Sequence, residues 1–163
     1  MFRRRLIKPV PAGYQIKLGN DERDLLGSLV PQLRDLLGRD DPLTRRLFPT
    51  AYHNDPERDA EYRILARSEL TDKRLASLEL FETTLHADIV TGEELTAWMG
   101  SINDVRLVLG TRLDVSEDLE SLDDQDPDAP AFAMYSYLGW VLENVVAALA
   151  ESLPEGDDSM APE

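Results

Sequence analysis

The sequence predicts a mainly α protein: a single-domain helical bundle of about five helices with a small N-terminal β-hairpin. Three observations carry this. From residue 20 onward, apolar residues recur at three- and four-residue spacing in most segments. Before residue 19, a short stretch alternates apolar and polar instead. Helix start signals stand where the periodic segments begin, among them Asp55-Pro56 and Thr91 followed by Glu94.

Phe2 to Val10 and Gly13 to Leu18 read as the two strands of the hairpin, with Pro9, Pro11 and Gly13 suited to its turn. Tyr14, Ile16 and Leu18 fall on one side of the second strand, Gln15 and Lys17 on the other. Asn20 is the expected N-cap of a helix over Asp21–Leu37, kinked at Pro31 and ended by Gly38. A short helical turn follows from Asp41 to Phe48. Asp55 then caps a helix whose modest inner face is Tyr62, Ile64 and Leu65. A break is expected near Arg67 and Ser68, with a second helix running to about Ala87. It turns Leu70, Leu75, Leu78, Phe81, Thr84 and Leu85 inward.

Thr91 to Val115 is the expected central element. Its stripe is Leu95, Trp98, Met99, Ile102, Val105, Leu109 and Leu113. Residues 116–130 read as an acidic loop and 154–163 as a disordered acidic tail, so the domain spans 1–153. Between them, Ala131 to Leu153 forms a last helix, apolar almost all round. Its length would span a bilayer, but Glu143 and Asn144 fall mid-span and neither flank carries Lys or Arg. A buried helix with a dimer-forming outer face is the expectation. A homodimer through Tyr137, Trp140, Val141 and Val145 follows, with Gly139 allowing close approach.

The formal net charge of −15 is uneven: residues 1–18 hold five basic and no acidic side chains, and residues 116–163 hold 13 acidic and no basic. A negative field repels phosphate backbones, so direct nucleic-acid binding is not expected. Arg3, Arg4 and Arg5 are expected to contact acidic segments of the chain itself or an acidic partner. Basic and acidic residues interleave from Pro56 to Arg74, which reads as a solvent face rather than a phosphate-binding stripe. The MFRRR start lacks the apolar run of a signal peptide, and a cytoplasmic location is expected.

There is no cysteine, which removes disulfides, thiolate metal sites and cysteine nucleophiles. Tyr52, His53, Asn54 and Asp55 bring a histidine near other polar side chains, but without a nucleophile and an orienting partner. Trp98, Met99, Tyr135, Tyr137 and Trp140 could wall a pocket, yet their helical spacing assigns them to packing. No catalytic residue, cofactor or metal is therefore expected. Asn103, Asp104, Arg106 and Arg112 are the most suggestive polar set. They are read as a structural network docking the last helix through Glu143 or Asn144.

Three segments, LFPTAYHNDPERDAEYRIL, VTGEELTAWMGSINDVRLVLGTRL and FAMYSYLGWVLENVVAAL, follow an FRRR start. Together they resemble an actinobacterial domain-of-unknown-function family that includes the oxidative-stress regulator AosR. The resemblance covers about residues 2–150. It is most specific in NDVRLVLGTRL and in the set Tyr135, Leu138, Gly139, Trp140 and Glu143. It implies a non-enzymatic transcriptional regulator that senses oxidants through a cysteine pair and acts on the transcription machinery. The implied partner is RNA polymerase or a sigma factor. Genes of the family commonly neighbour that of the adaptor ClpS, which implies a partner in Clp-dependent proteolysis as the alternative. A small-molecule enzyme is the remote alternative. Without cysteine, thiol sensing does not carry over to this chain.

Overall fold

The computed structural model describes residues 4–48, 54–114 and 125–152. Three strands, β1 (Ile7–Val10), β2 (Gly13–Ile16) and β3 (Ile89–Val90), accompany four α-helices. The helices are α1 (Asn20–Gly38), α2 (Pro56–Thr84), α3 (Gly92–Leu113) and α4 (Ala129–Glu151), with a 3-10 helix at Pro42–Leu47. The architecture is mainly α, as the periodicity predicts.

The hairpin forms with Ile7 opposite Ile16. A third strand was not expected: β3 pairs antiparallel with β2, placing Tyr14 opposite Val90. Gly13 makes this possible. Its φ is +142°, and a Cβ there would lie 2.3 Å from the Val90 carbonyl oxygen. Two residues of Ile89–Val90 are too few for alternation to be legible.

Glu22 starts α1 by accepting the Gly19 N–H at 2.9 Å, so the cap is Gly19 rather than Asn20. The helix continues through Pro31, which lies exposed. Asp41 caps the 3-10 helix through the Leu43 N–H at 2.9 Å. Thr91 and Glu94 form the expected reciprocal cap of α3, at 3.2 and 2.9 Å.

α3 packs against both α2 and α4 and is the central element. Leu95, Trp98, Ile102 and Val105 are buried along its stripe. Trp98 meets Phe81 of α2 edge-on at 5.0 Å and donates its indole N–H to Thr84 at 2.8 Å. A buried indole keeps its hydrogen bond while burying its rings.

The expected break near Arg67 and Ser68 is absent. α2 runs unbroken for 29 residues, about 43 Å. Serine inside a helix costs only a few tenths of a kcal/mol and no glycine or proline interrupts the segment, so nothing forces a break. Leu78, Phe81 and Leu85 at its far end are core. Its first turns are not: the inner face predicted for Tyr62, Ile64 and Leu65 is exposed at 42%, 78% and 82%.

α4 is, among the described residues, the one helix long and apolar enough to cross a membrane by length and composition. It lies on α3 with Leu138, Val141, Val145 and Ala148 buried. Asn144 joins it to the residue preceding β1 by accepting the Leu6 N–H at 3.1 Å.

Candidate interaction surface

The side chains of α3 project both ways from the centre, and this divides the polar set expected to act together. Asp104 and Arg106 are two residues apart, about 200° around a helix. Asp104 faces α2, where it accepts from Arg74 Nη1 at 2.5 Å, while Arg74 Nη2 donates to the Leu47 carbonyl at 2.7 Å. Arg106 faces α4 and lies over the Tyr135 ring at 4.6 Å, beside Gly139. A Cβ on Gly139 would lie 3.4 Å from Arg106 Nε, at ordinary contact distance. Arg112 and Glu143 are exposed and Asn103 is half-buried. The single network is corrected to two separate anchors.

Burial pushes the Asp104 carboxyl above its ordinary range; the charge and hydrogen bond of Arg74 only partly oppose this. The pair fastens the middle of α2 to α3 and to the 3-10 helix. Arg67, two turns earlier on α2, lies over the Phe48 ring at 4.3 Å and pairs with Asp40 at 2.9 Å.

Between the 3-10 helix and the first half of α2 lies a cleft of about 590 Å³. Leu47, Phe48 and Leu70 form its apolar wall, Arg45, Arg67 and Arg74 its cationic side, and Tyr62 and Ile64 its mouth. Ile64, which lines the cleft, and its neighbour Leu65 are both exposed. An adjacent exposed aliphatic pair on a rigid helix is the kind of feature that marks a protein contact. Tyr52 and His53 lie outside the described residues; Asp55 caps α2 through the Arg58 N–H at 3.2 Å. Among the described residues, no group of three His, Cys, Asp or Glu could hold a metal ion.

The surface expected on α4 is reduced. Val141 and Val145 are at 0% exposure within the monomer. Tyr137 and Trp140 are half-buried, their rings tilted against each other at 52° with centroids 5.9 Å apart, and Arg4 lies over Trp140 at 5.7 Å. Arg4 also pairs with Glu22, and Arg5 pairs with Glu151; both contacts stay within the chain. Arg3 lies outside the described residues. A homodimer through α4 would rest on Tyr137, Trp140 and Val146.

Sequence reasoning missed Arg23. It is buried in α1 and donates to four carbonyls: Leu18 (3.0 Å), Leu85 (2.8 Å), Ala87 (2.7 Å) and Ile16 (3.1 Å). It staples α1, β2 and the end of α2 together. Within a first turn rich in Asp and Glu, an arginine carries no sign of burial.

The oxidative stress regulator AosR of Mycobacterium tuberculosis (strain ATCC 25618 / H37Rv) is 31% identical over 130 residues, 69% of this chain and 60% of that protein. The putative oxidative stress regulator AosR of Mycobacterium leprae (strain TN) is 31% identical over 139 residues, 82% of this chain and 63% of that protein. The chain thus spans about three-fifths of the length of these relatives. No solved structure is a significant match. The model of a domain of unknown function, DUF2017, matches residues 3–149, and the chain belongs to that family.

Proposed function

We propose that the protein is a non-enzymatic, cytoplasmic regulator that acts by binding another protein, in the service of an oxidative stress response. Its similarity to proteins named as oxidative stress regulators supports the regulatory role. The structural observation that carries the binding mode is the exposed pair Ile64 and Leu65 beside the cleft of α2. Catalysis would need a nucleophile or base held by an orienting partner. The polar side chains here fasten helices instead: Arg74 with Asp104, and Arg23 on its carbonyls.

The proposed partner is RNA polymerase or a sigma factor, approached without direct reading of DNA. A chain of net charge −15 is unfavourable to phosphate backbones. The reading includes no thiol switch within this chain, which has no cysteine.

The test is affinity purification of the tagged full chain, followed by reconstitution with purified components. Stoichiometric binding of RNA polymerase or a sigma factor is expected. Binding only to ClpS or the Clp unfoldase would replace this reading with the proteolysis adaptor. Tight, sequence-selective binding of duplex DNA at physiological salt would overturn the indirect mode.

A further inference from the structure

The exposed pair on α2 sits in a chemical setting that narrows what can cover it. Helical spacing places Glu57, Glu61, Ile64, Leu65, Ser68 and Asp72 within about a third of the helix circumference. All six are exposed. The stripe is therefore two aliphatic side chains bracketed along the helix by carboxylates. Among the described residues, Glu57, Glu61 and Asp72 take part in no ion pair, whereas Glu69, just off the stripe, pairs with Lys73 at 3.4 Å. Arg58, at the stripe's edge, already has an interaction within the chain.

We propose that this stripe docks a cationic amphipathic helix of a partner protein. Aliphatic side chains of the partner would cover Ile64 and Leu65, and lysines or arginines flanking them would meet Glu57, Glu61 and Asp72. This deepens the proposed function and rests on its protein-binding reading. Charge complementarity decides among occupants. A second copy would bring the same carboxylates against one another in a chain already at −15. A basic partner gains from that field twice, by steering at long range and by pairing at contact. The stripe belongs to a helix locked at its middle by Arg74 and Asp104, so its side chains are presented on a stiff support.

The test uses the full chain and a synthetic helical peptide with leucines at three- and four-residue spacing flanked by lysines. A twin peptide carries glutamate for each lysine. Fluorescence anisotropy should show binding of the lysine peptide alone, weakened by salt. Ile64→Ser with Leu65→Ser should weaken it about tenfold or more, as should Glu57→Gln, Glu61→Gln and Asp72→Asn together. Circular dichroism checks that the variants keep their helices. Equal binding by both variants overturns the proposal, as does a wild-type dimer mass that the double serine variant loses. If that double variant still captures RNA polymerase or a sigma factor at full strength, the regulatory reading stands and this surface is refuted.

Discussion

The carboxylate of Asp104 on α3, 5% exposed, accepts its hydrogen bond from Arg74 on α2 at 2.5 Å. Removing one member of such a pair strands the other. Arg74→Met should destabilise the fold by about 3 kcal/mol. Adding Asp104→Leu should recover much of that loss, because two apolar side chains can replace a buried pair. Urea unfolding of the single and double variants checks it. Equal loss in both would mean that packing, not charge, holds α2 to α3.

Two carboxyls shift in opposite directions, which gives opposite pH dependences. Burial raises Glu22, but the Gly19 N–H, Arg4 and Tyr137 outweigh it, so its pKa falls below 4.5. Its stabilising contribution is therefore present above pH 4.5 and is lost as pH falls through the folded value. Asp104 is raised above 3.8, so the folded chain holds a proton that the unfolded chain releases. Its contribution is full below 3.8 and is lost as pH rises through the folded value. The stability gap between wild type and Glu22→Gln should shrink in acid, measured by urea unfolding across a pH series. A gap independent of pH would contradict the Glu22 assignment.

Tyr137 donates to Glu22 at 3.3 Å. Burial comes first, then the charge and hydrogen bond of Glu22, and together they push its phenol up to about 12 against the opposing charge of Arg4. Ultraviolet titration of wild type minus Tyr137→Phe should place this ionisation near 12. Ionisation at the ordinary value of 10.0 would mean that Tyr137 is not held against Glu22.

Arg23 serves four carbonyls on two stretches of chain, residues 16–18 and 85–87. Arg23→Met should cost about 3 kcal/mol or more, since each buried carbonyl left unpaired costs about 1–3 kcal/mol. Arg23→Lys should rescue only part of it, because an ammonium cannot match the planar fork. Thermal and urea unfolding measure both variants. Full rescue by lysine would show that charge alone suffices.

Periodicity made the helices legible wherever a side chain's direction decided its burial. The α3 stripe, the Thr91–Glu94 cap and the inward set Leu78, Phe81 and Leu85 are readable for that reason. What escaped depends on length and distance. The first turns of α2 carry Tyr62, Ile64 and Leu65 at apolar spacing, but there Asp59 is the buried side chain and these three are exposed, and no local pattern records which face a distant neighbour covers. The same holds for the candidate surface. Ile64 and Leu65 look like core residues in the sequence and become informative only when found exposed. Val141 and Val145 are the converse, chosen as surface and found in the core. Arg23 and β3 are fixed by partners far along the chain, which local reasoning does not reach.

Exposure predicts a contrast in stability. Leu138→Ala, buried under α3, should cost about 2–5 kcal/mol. Leu65→Ser should stay within about 0.5 kcal/mol of wild type by urea unfolding. A large loss from Leu65→Ser would mean that this side chain is covered within the chain.

The proposed partner docks on the first turns of α2. Hydrogen–deuterium exchange of the full chain, alone and with its copurified partner bound, tests this most directly. Protection confined mainly to residues 57–72 is the predicted result. Protection along the outer face of α4, around Trp140 and Val146, with α2 unchanged, would contradict it.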